Sequence, residues 1–145
     1  MVPVYNSEGS LPALVERTHG ALSARRHEIV LVNDGSSDRS WEIIRELCRK
    51  GTGVRGINLM RNYGQHNAVL AGIRAARGAI TVTIDDDLQH PPEEIPKLLD
   101  ALSQGFDVVY GTPEKLPHST FRNVSSWLTK LVLQKAMGAE TARSV

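Results

Sequence analysis

The chain has 145 residues and a mass of 15.9 kDa, close to the size of one domain, which argues against two independent hydrophobic cores. Hydrophobic residues make up 41% and charged residues 23%, an ordinary globular mixture that is too apolar for a disordered chain. With 17 Lys and Arg against 16 Asp and Glu, the formal charge of +1 gives no global field for gripping nucleic acid, and no apolar run approaches the roughly 18 residues needed to cross a bilayer.

Short β-branched runs alternate with amphipathic stretches, the pattern of βαβ units whose parallel strands are covered by helices, so the expected class is α/β. A first strand over residues 2–5 leads to a helical stripe of Leu11, Leu14, Val15 and Leu22, with Ser10 as N-cap and Pro12 in the first turn. A second strand (28–33) precedes the stripe Trp41, Ile44, Leu47 and Cys48, and a third (54–59) precedes Ala68, Ala71, Gly72, Ala75 and Ala76, whose small side chains permit close packing on a sheet. A fourth strand is read at 79–85. Pro91 and Pro92 then open a helix with Ile95, Leu98, Leu99 and Leu102 on its buried side, and 107–111 reads as a fifth strand. Phe121, Val124, Leu128, Leu131 and Val132 line one side of a final helix, with Arg122, Lys130 and Lys135 elsewhere around it; such a helix either packs on the domain or lies on an anionic membrane surface. The short first strand and the abrupt stop at Ser144-Val145 read as cut ends of a longer protein. Cys48, without a second thiol, points to a reducing, cytosolic compartment.

Charge is uneven. Residues 85–107 hold seven acidic groups against Lys97 alone, whereas from residue 112 onward five basic groups face two acidic ones. That distribution suits a divalent cation in one place and an anion in the other. In a parallel α/β sheet, ligands bind beyond the carboxyl ends of the strands, and three such ends are loaded with polar residues: 5–8, 33–38 and 85–89. Three successive carboxylates, Asp85, Asp86 and Asp87, repel one another unless a cation or solvent offsets them, and hard Mg²⁺ or Mn²⁺ takes oxygen ligands of this kind. Alternate side chains of an extended segment share a face, so Asp85 and Asp87 point one way, Gln89 follows, and Asp86 points away. The ordinary alternative is an acidic surface turn. A carboxylate at Asp34 can accept hydrogen bonds from a base or ribose, while turn and capping chemistry accounts for Ser36, Ser37 and Asp38. Tyr5 either stacks on a flat ring or simply packs. Glu93, Glu94 and Asp100 read as a solvated helix face. The letters of residues 51–56 match a dinucleotide fingerprint, but the segment follows a helix and precedes a strand, the reverse of the required order. None of the five histidines has metal-ligand spacing.

Four stretches in order, Pro3-Val4-Tyr5-Asn6, residues 32–38 (Val-Asn-Asp-Gly-Ser-Ser-Asp), Arg61-Asn62-Tyr63-Gly64-Gln65 and residues 85–94 (Asp-Asp-Asp-Leu-Gln-His-Pro-Pro-Glu-Glu), together resemble family 2 glycosyltransferases, in the branch that transfers sugars to polyprenyl phosphates. The resemblance implies a GT-A fold, a Rossmann-like and mostly parallel sheet with helices on both faces, and makes residues 1–145 the nucleotide-sugar-binding part of a catalytic domain. It places Pro3, Tyr5, Val32 and Asp34 around the nucleoside, with Asp34 on the base and Asp86 against the nucleotide. Asp85 and Asp87 match the family's DxD motif, as metal ligands and catalytic residues, with Gln89 a further metal contact. Arg122 resembles an arginine that meets phosphate. Ser7 departs from the family pattern, standing where a glutamate is usual, and Pro113 stands where a phosphate-binding arginine is frequent. The implied reaction is an inverting, metal-dependent transfer from a UDP- or GDP-sugar to a polyprenyl phosphate at the cytoplasmic face of a membrane. The alternatives are a nucleotide-binding fragment without transferase activity and, lower in rank, a phosphohydrolase using Asp85 as nucleophile.

Overall fold

All five residues of β2 (Ile29–Asn33) are buried, as befits a strand covered on both faces at the centre of a parallel sheet. The computed structural model of the chain describes residues 1–51 and 53–112, of which Met1–Tyr110 form one unit. β1 (Val2–Val4) and β3 (Val54–Asn58) flank β2, both parallel to it, with Val2 opposite Leu31 and Ile29 opposite Val54. Side-chain alternation then divides the core in two. Val2, Val4, Ile29 and Leu31 meet Leu11, Leu14 and Val15 of α1 (Leu11–Ala21) and Ile44 and Leu47 of α2 (Ser40–Arg49). Val30 and Val32 meet Ala68 of α3 (Gln65–Ala75), with Met1, Ile57 and Ala71 around them. Helices therefore cover both faces of a parallel sheet, the α/β class expected. Residues 51–56 follow α2 and run into β3, the helix-then-strand order that removes the dinucleotide fingerprint.

Two of the expected strands do not form. Residues 79–85 lie beside β1, where the Met1 amino group donates to the Val82 carbonyl at 2.7 Å and the Ile84 amide donates to the Met1 carbonyl at 3.2 Å. The next donor on that edge of β1 belongs to Pro3, which has no N–H, so the ladder cannot continue. The donor after that, the Tyr5 amide, is taken by the Asp86 side chain at 3.1 Å. Residues 107–111 likewise form no strand: Val108 is 63% and Tyr110 83% exposed. The observed strands are also shorter than read, β1 ending at Val4 and β3 at Asn58. The stretch opened by Pro91 and Pro92 begins as a 3-10 turn (Pro92–Glu94) before α4 (Ile95–Leu102). The final helix lies outside the described residues. No helix among the described residues is long and apolar enough to cross a membrane.

The acidic groups near α4 are paired rather than merely solvated. Arg17 grips Glu93 with two parallel hydrogen bonds of 2.8 and 2.7 Å, Arg25 pairs with Asp100 at 2.9 Å, and Lys97 with Glu94 at 2.6 Å. The bonds from Arg17 hold the Glu93 carboxyl down to about 2 from its ordinary 4.5. A carboxyl with a depressed folded pKa stabilises above its unfolded value, and that stabilisation disappears as pH falls. Urea titrations of wild type and Glu93→Gln should therefore differ in midpoint at pH 6 and converge between about pH 4.5 and 2. A gap that persists at pH 2 contradicts this assignment.

Two of the histidines form a pair. His27 Nδ1 lies 2.8 Å from the Arg25 carbonyl and must carry the proton, so His27 Nε2 accepts from His19 Nδ1 at 2.8 Å. Among the described residues His19 Nε2 is left buried without a partner, and burial together with the neighbouring His27 lowers the His19 pKa.

Candidate active site

The chain runs β1, β2, β3 outward across the sheet and then returns to lay residues 82–84 on the other side of β1, so the direction of the chain across the sheet reverses at β1. A crevice opens beyond the carboxyl ends of strands at such a reversal. Here it is a cleft of about 350 Å³ walled by Pro3 and Val4 of β1 and Tyr5 just beyond it, Asp34 just beyond β2, Asn62 and Gly64 ahead of α3 and Gln65 at its start, and Asp85, Asp86 and Asp87. Among the described residues, four carboxylates line it and no Lys or Arg does. A larger cavity of about 500 Å³ lies at the strand N-termini; its one carboxylate, Glu28, is already engaged by Arg55 at 2.9 Å and by the Arg77 amide at 2.7 Å.

The loops after β1 and β2 are stitched together before any ligand is considered. Asn6 donates its amide to Ser36 Oγ and accepts from the Ser37 amide. The Ser7 amide donates to Ser40 Oγ, a fully buried hydroxyl. Glu8 and Asp38 reciprocate: the Glu8 amide donates to Asp38, and Glu8 accepts from the Arg39 amide. Asp38 also accepts from the Ser40 amide at the start of α2. Turn and capping chemistry thus accounts for Ser36, Ser37 and Asp38, as expected, and Glu8 belongs to the same scaffold. Ser10 occupies the N-cap position of α1, but its hydroxyl donates to the Ser7 carbonyl and caps no helix amide.

Asp34 is 3% exposed and accepts the Tyr63 amide at 2.8 Å on one oxygen and the Gly64 amide at 2.9 Å on the other. It thereby fixes the loop between β3 and α3 over the cleft. Each carboxylate oxygen has capacity for a second donor, which leaves Asp34 able to receive a ligand N–H or O–H. Tyr5 stands 52% exposed at the cleft, and Arg61 stacks on the Tyr63 ring at 4.9 Å nearby.

The three successive aspartates take different partners. Asp85 accepts from Gln65 Nε2 at 2.9 Å, and its other oxygen lies 3.9 Å from His90 Nδ1. Asp86 accepts the Tyr5 amide and the Ser7 hydroxyl, so the serine standing where a glutamate was expected faces an aspartate. Among the described residues Asp87 accepts only the Gln89 amide, at 2.9 Å, in a turn in which Leu88 has a positive φ of 61°. The donor set fits a hard divalent ion held by one or two carboxylates with ligand oxygens and water completing the shell, the usual manner of Mg²⁺. Among the described residues no group of three or more His, Cys, Asp and Glu encloses a metal alone, so a full protein cage is absent from them.

Of the residues singled out from sequence, Pro3, Tyr5, Asp34, Asp85, Asp86 and Asp87 meet in this cleft. Val32 does not reach it; fully buried, it packs in the core with Ala68 under α3. Gln89 is exposed and is not among the lining residues, meeting Asp87 through its backbone amide. Arg122 lies outside the described residues. Sequence reasoning assigned no role to Asn62, Gly64 and Gln65, although all three lie in one of the four stretches that carry the resemblance.

A doubly covered parallel sheet with its polar cleft at the reversal beside β1 defines a Rossmann-like α/β protein of the GT-A kind. The chain belongs to glycosyl transferase family 2, whose family model matches residues 1–143. It is 45% identical over 141 residues to an undecaprenyl-phosphate 4-deoxy-4-formamido-L-arabinose transferase of Aeromonas hydrophila, covering 95% of this chain and 43% of that protein. Its identity to the transferase of the same name from Pseudomonas aeruginosa is 46%, covering 95% of this chain and 42% of that one. The chain thus spans less than half the length of these curated relatives. Among solved structures, a mycobacterial protein matches with a TM-score of 0.63 at 19% identity over 92% of this chain and 45% of that chain. Staphylococcus aureus TarS 1-349 in complex with UDP matches with a TM-score of 0.55 at 21% identity over 84% and 38%. At these identities the structural likeness shows the fold alone.

Proposed function

We propose that the chain forms the donor-binding part of an inverting glycosyltransferase that moves a sugar from a UDP- or GDP-sugar to a polyprenyl phosphate at the cytoplasmic face of a membrane. The observation that carries this reading is the cleft at β1, whose described lining residues include four carboxylates and no Lys or Arg. Such a cleft repels a diphosphate unless a divalent ion comes with it, and Asp85 and Asp87 are the side chains that would hold that ion. Bound there, Mg²⁺ or Mn²⁺ stabilises the charge that accumulates on the departing diphosphate. Asp34 offers acceptor oxygens to a base or ribose, Tyr5 a ring face, and Asp86 lies against the nucleotide. Gln89 and Arg122 are carried in from the resemblance as further metal and phosphate contacts.

The acceptor is read from chemistry and from the relatives. A lipid phosphate is already largely anionic near neutral pH, because its second pKa is about 6. Its oxygen can attack the sugar carbon as the bond to the diphosphate breaks, with no carboxylate needed to remove a proton. The names of the curated relatives specify undecaprenyl phosphate, which fits such an acceptor.

Calorimetry of the 145-residue chain with UDP and GDP, each with and without Mn²⁺, tests the donor half of the proposal. One of the two should bind in an ion-dependent way. Binding that ignores the ion, or no binding of either, overturns it. Supplying labelled sugar nucleotide and undecaprenyl phosphate tests the other half: ion-dependent binding without transfer assigns this chain donor binding alone.

A further inference from the structure

We propose that Gln65 is a positioning residue for Asp85, orienting that carboxylate for the divalent ion; the inference rests on the reading of the cleft as a cation and diphosphate site. The four carboxylates of the cleft are held differently. Asp34 is engaged by two backbone amides, Asp86 by the Tyr5 amide and the Ser7 hydroxyl, and Asp87 by the amide two residues on. Asp85 is the one among them whose hydrogen bond comes from a side-chain amide, Gln65 Nε2 at 2.9 Å, reaching across from another element.

That reach is built by the fold. Gln65 is the first residue of α3, and the two amides immediately before it are those clamped by Asp34, with Gly64 at a φ of +90° making the turn into the helix. Gln65 is thereby delivered to the cleft by a buried anchor on β2. The chemistry of the donor matters as much as its place. A Lys or Arg there would restrain Asp85 and cancel the charge that attracts the ion, whereas a neutral amide fixes one oxygen and leaves the full negative charge in place. Among the described residues the other oxygen makes no hydrogen bond, with His90 Nδ1 at 3.9 Å, and it is the atom left to meet an ion.

Gln65→Met tests this, since methionine is similar in volume and in helix propensity but has no donor. The readout is the gain in UDP or GDP affinity produced by Mn²⁺, measured by calorimetry, with the melting temperature as a control. The gain, taken as the ratio of affinities with and without Mn²⁺, should shrink about 3- to 10-fold, up to roughly 1.4 kcal/mol, while the melting temperature stays near wild type. In an Asp85→Asn background the same substitution should produce no further loss, because Gln65 acts through Asp85. An undiminished gain in Gln65→Met overturns the proposal, as does an equal loss with and without Mn²⁺ or an additive loss in the double variant. A wild type that shows no Mn²⁺ dependence overturns the reading of the cleft itself, which is a different result.

Discussion

Replacing Asp87 with asparagine should bring nucleoside diphosphate binding in Mn²⁺ down to its metal-free level, a loss of about 10- to 100-fold or roughly 1.4–2.8 kcal/mol. The choice of asparagine isolates charge from structure. Asp87 accepts a hydrogen bond from the Gln89 amide, and an asparagine side-chain oxygen can accept the same bond and keep the turn. What disappears is one negative charge from a cleft lined by four carboxylates. Without a bound cation those charges repel, so removing one should leave the melting temperature of the metal-free protein unchanged or slightly higher. Function and stability then move in opposite directions, which general damage to the fold would not produce. Calorimetry with and without Mn²⁺ and a thermal melt of the same sample decide it. Full Mn²⁺-dependent binding by Asp87→Asn rules out Asp87 as a ligand, and a lowered melting temperature means the side chain supports the fold instead.

The elements most legible in sequence were those whose evidence is local. α1 to α4 show their apolar stripes within a dozen residues, and β2 shows five apolar or buried positions in a row, so these emerge close to where they were expected. Residues 79–85 carry an equally good strand pattern and yet form none, because a strand also needs a partner edge, and the edge offered by β1, distant in sequence, is broken at Pro3. The site divides in the same way. The meeting of Asp34 with Asp85, Asp86 and Asp87 follows from the rule that ligands gather at strand ends, which is readable once strands are placed. The division of labour among them is not readable, since it depends on contacts across long stretches of chain: the Tyr63 and Gly64 amides for Asp34, the Tyr5 amide for Asp86, and Gln65 for Asp85. Val32 shows the converse, a residue that lies in a telling stretch of sequence but points into the core.

Those long-range contacts make Gly35, next to the buried aspartate, the position where a single methyl group should do the most harm. Its φ is +69°, a left-handed conformation that costs an L-residue about 1–2 kcal/mol. A Cβ built there would lie 2.4 Å from the Asn62 nitrogen and 2.6 Å from the Arg61 carbonyl carbon. Both atoms are backbone and cannot rotate aside. Nor can the segment drift away freely, since Asp34 holds the amides of Tyr63 and Gly64 immediately beyond it. Relief of the overlap therefore has to break those hydrogen bonds or push the β3–α3 connection outward, adding about 1–3 kcal/mol of overpacking. Gly35→Ala should accordingly cost about 2–5 kcal/mol, a large share of the roughly 5–15 kcal/mol that holds a domain folded. For a unit of this size that corresponds to a fall in melting temperature of about 10 °C or more. Because the displaced segment carries Asn62, Gly64 and Gln65 into the cleft, nucleotide binding should weaken even well below the melting temperature, with and without Mn²⁺ alike. That joint loss distinguishes Gly35→Ala from Asp87→Asn, where only the ion-dependent part disappears. An alanine variant with wild-type melting and wild-type binding would mean that the close approach of the two loops is not what shapes the cleft.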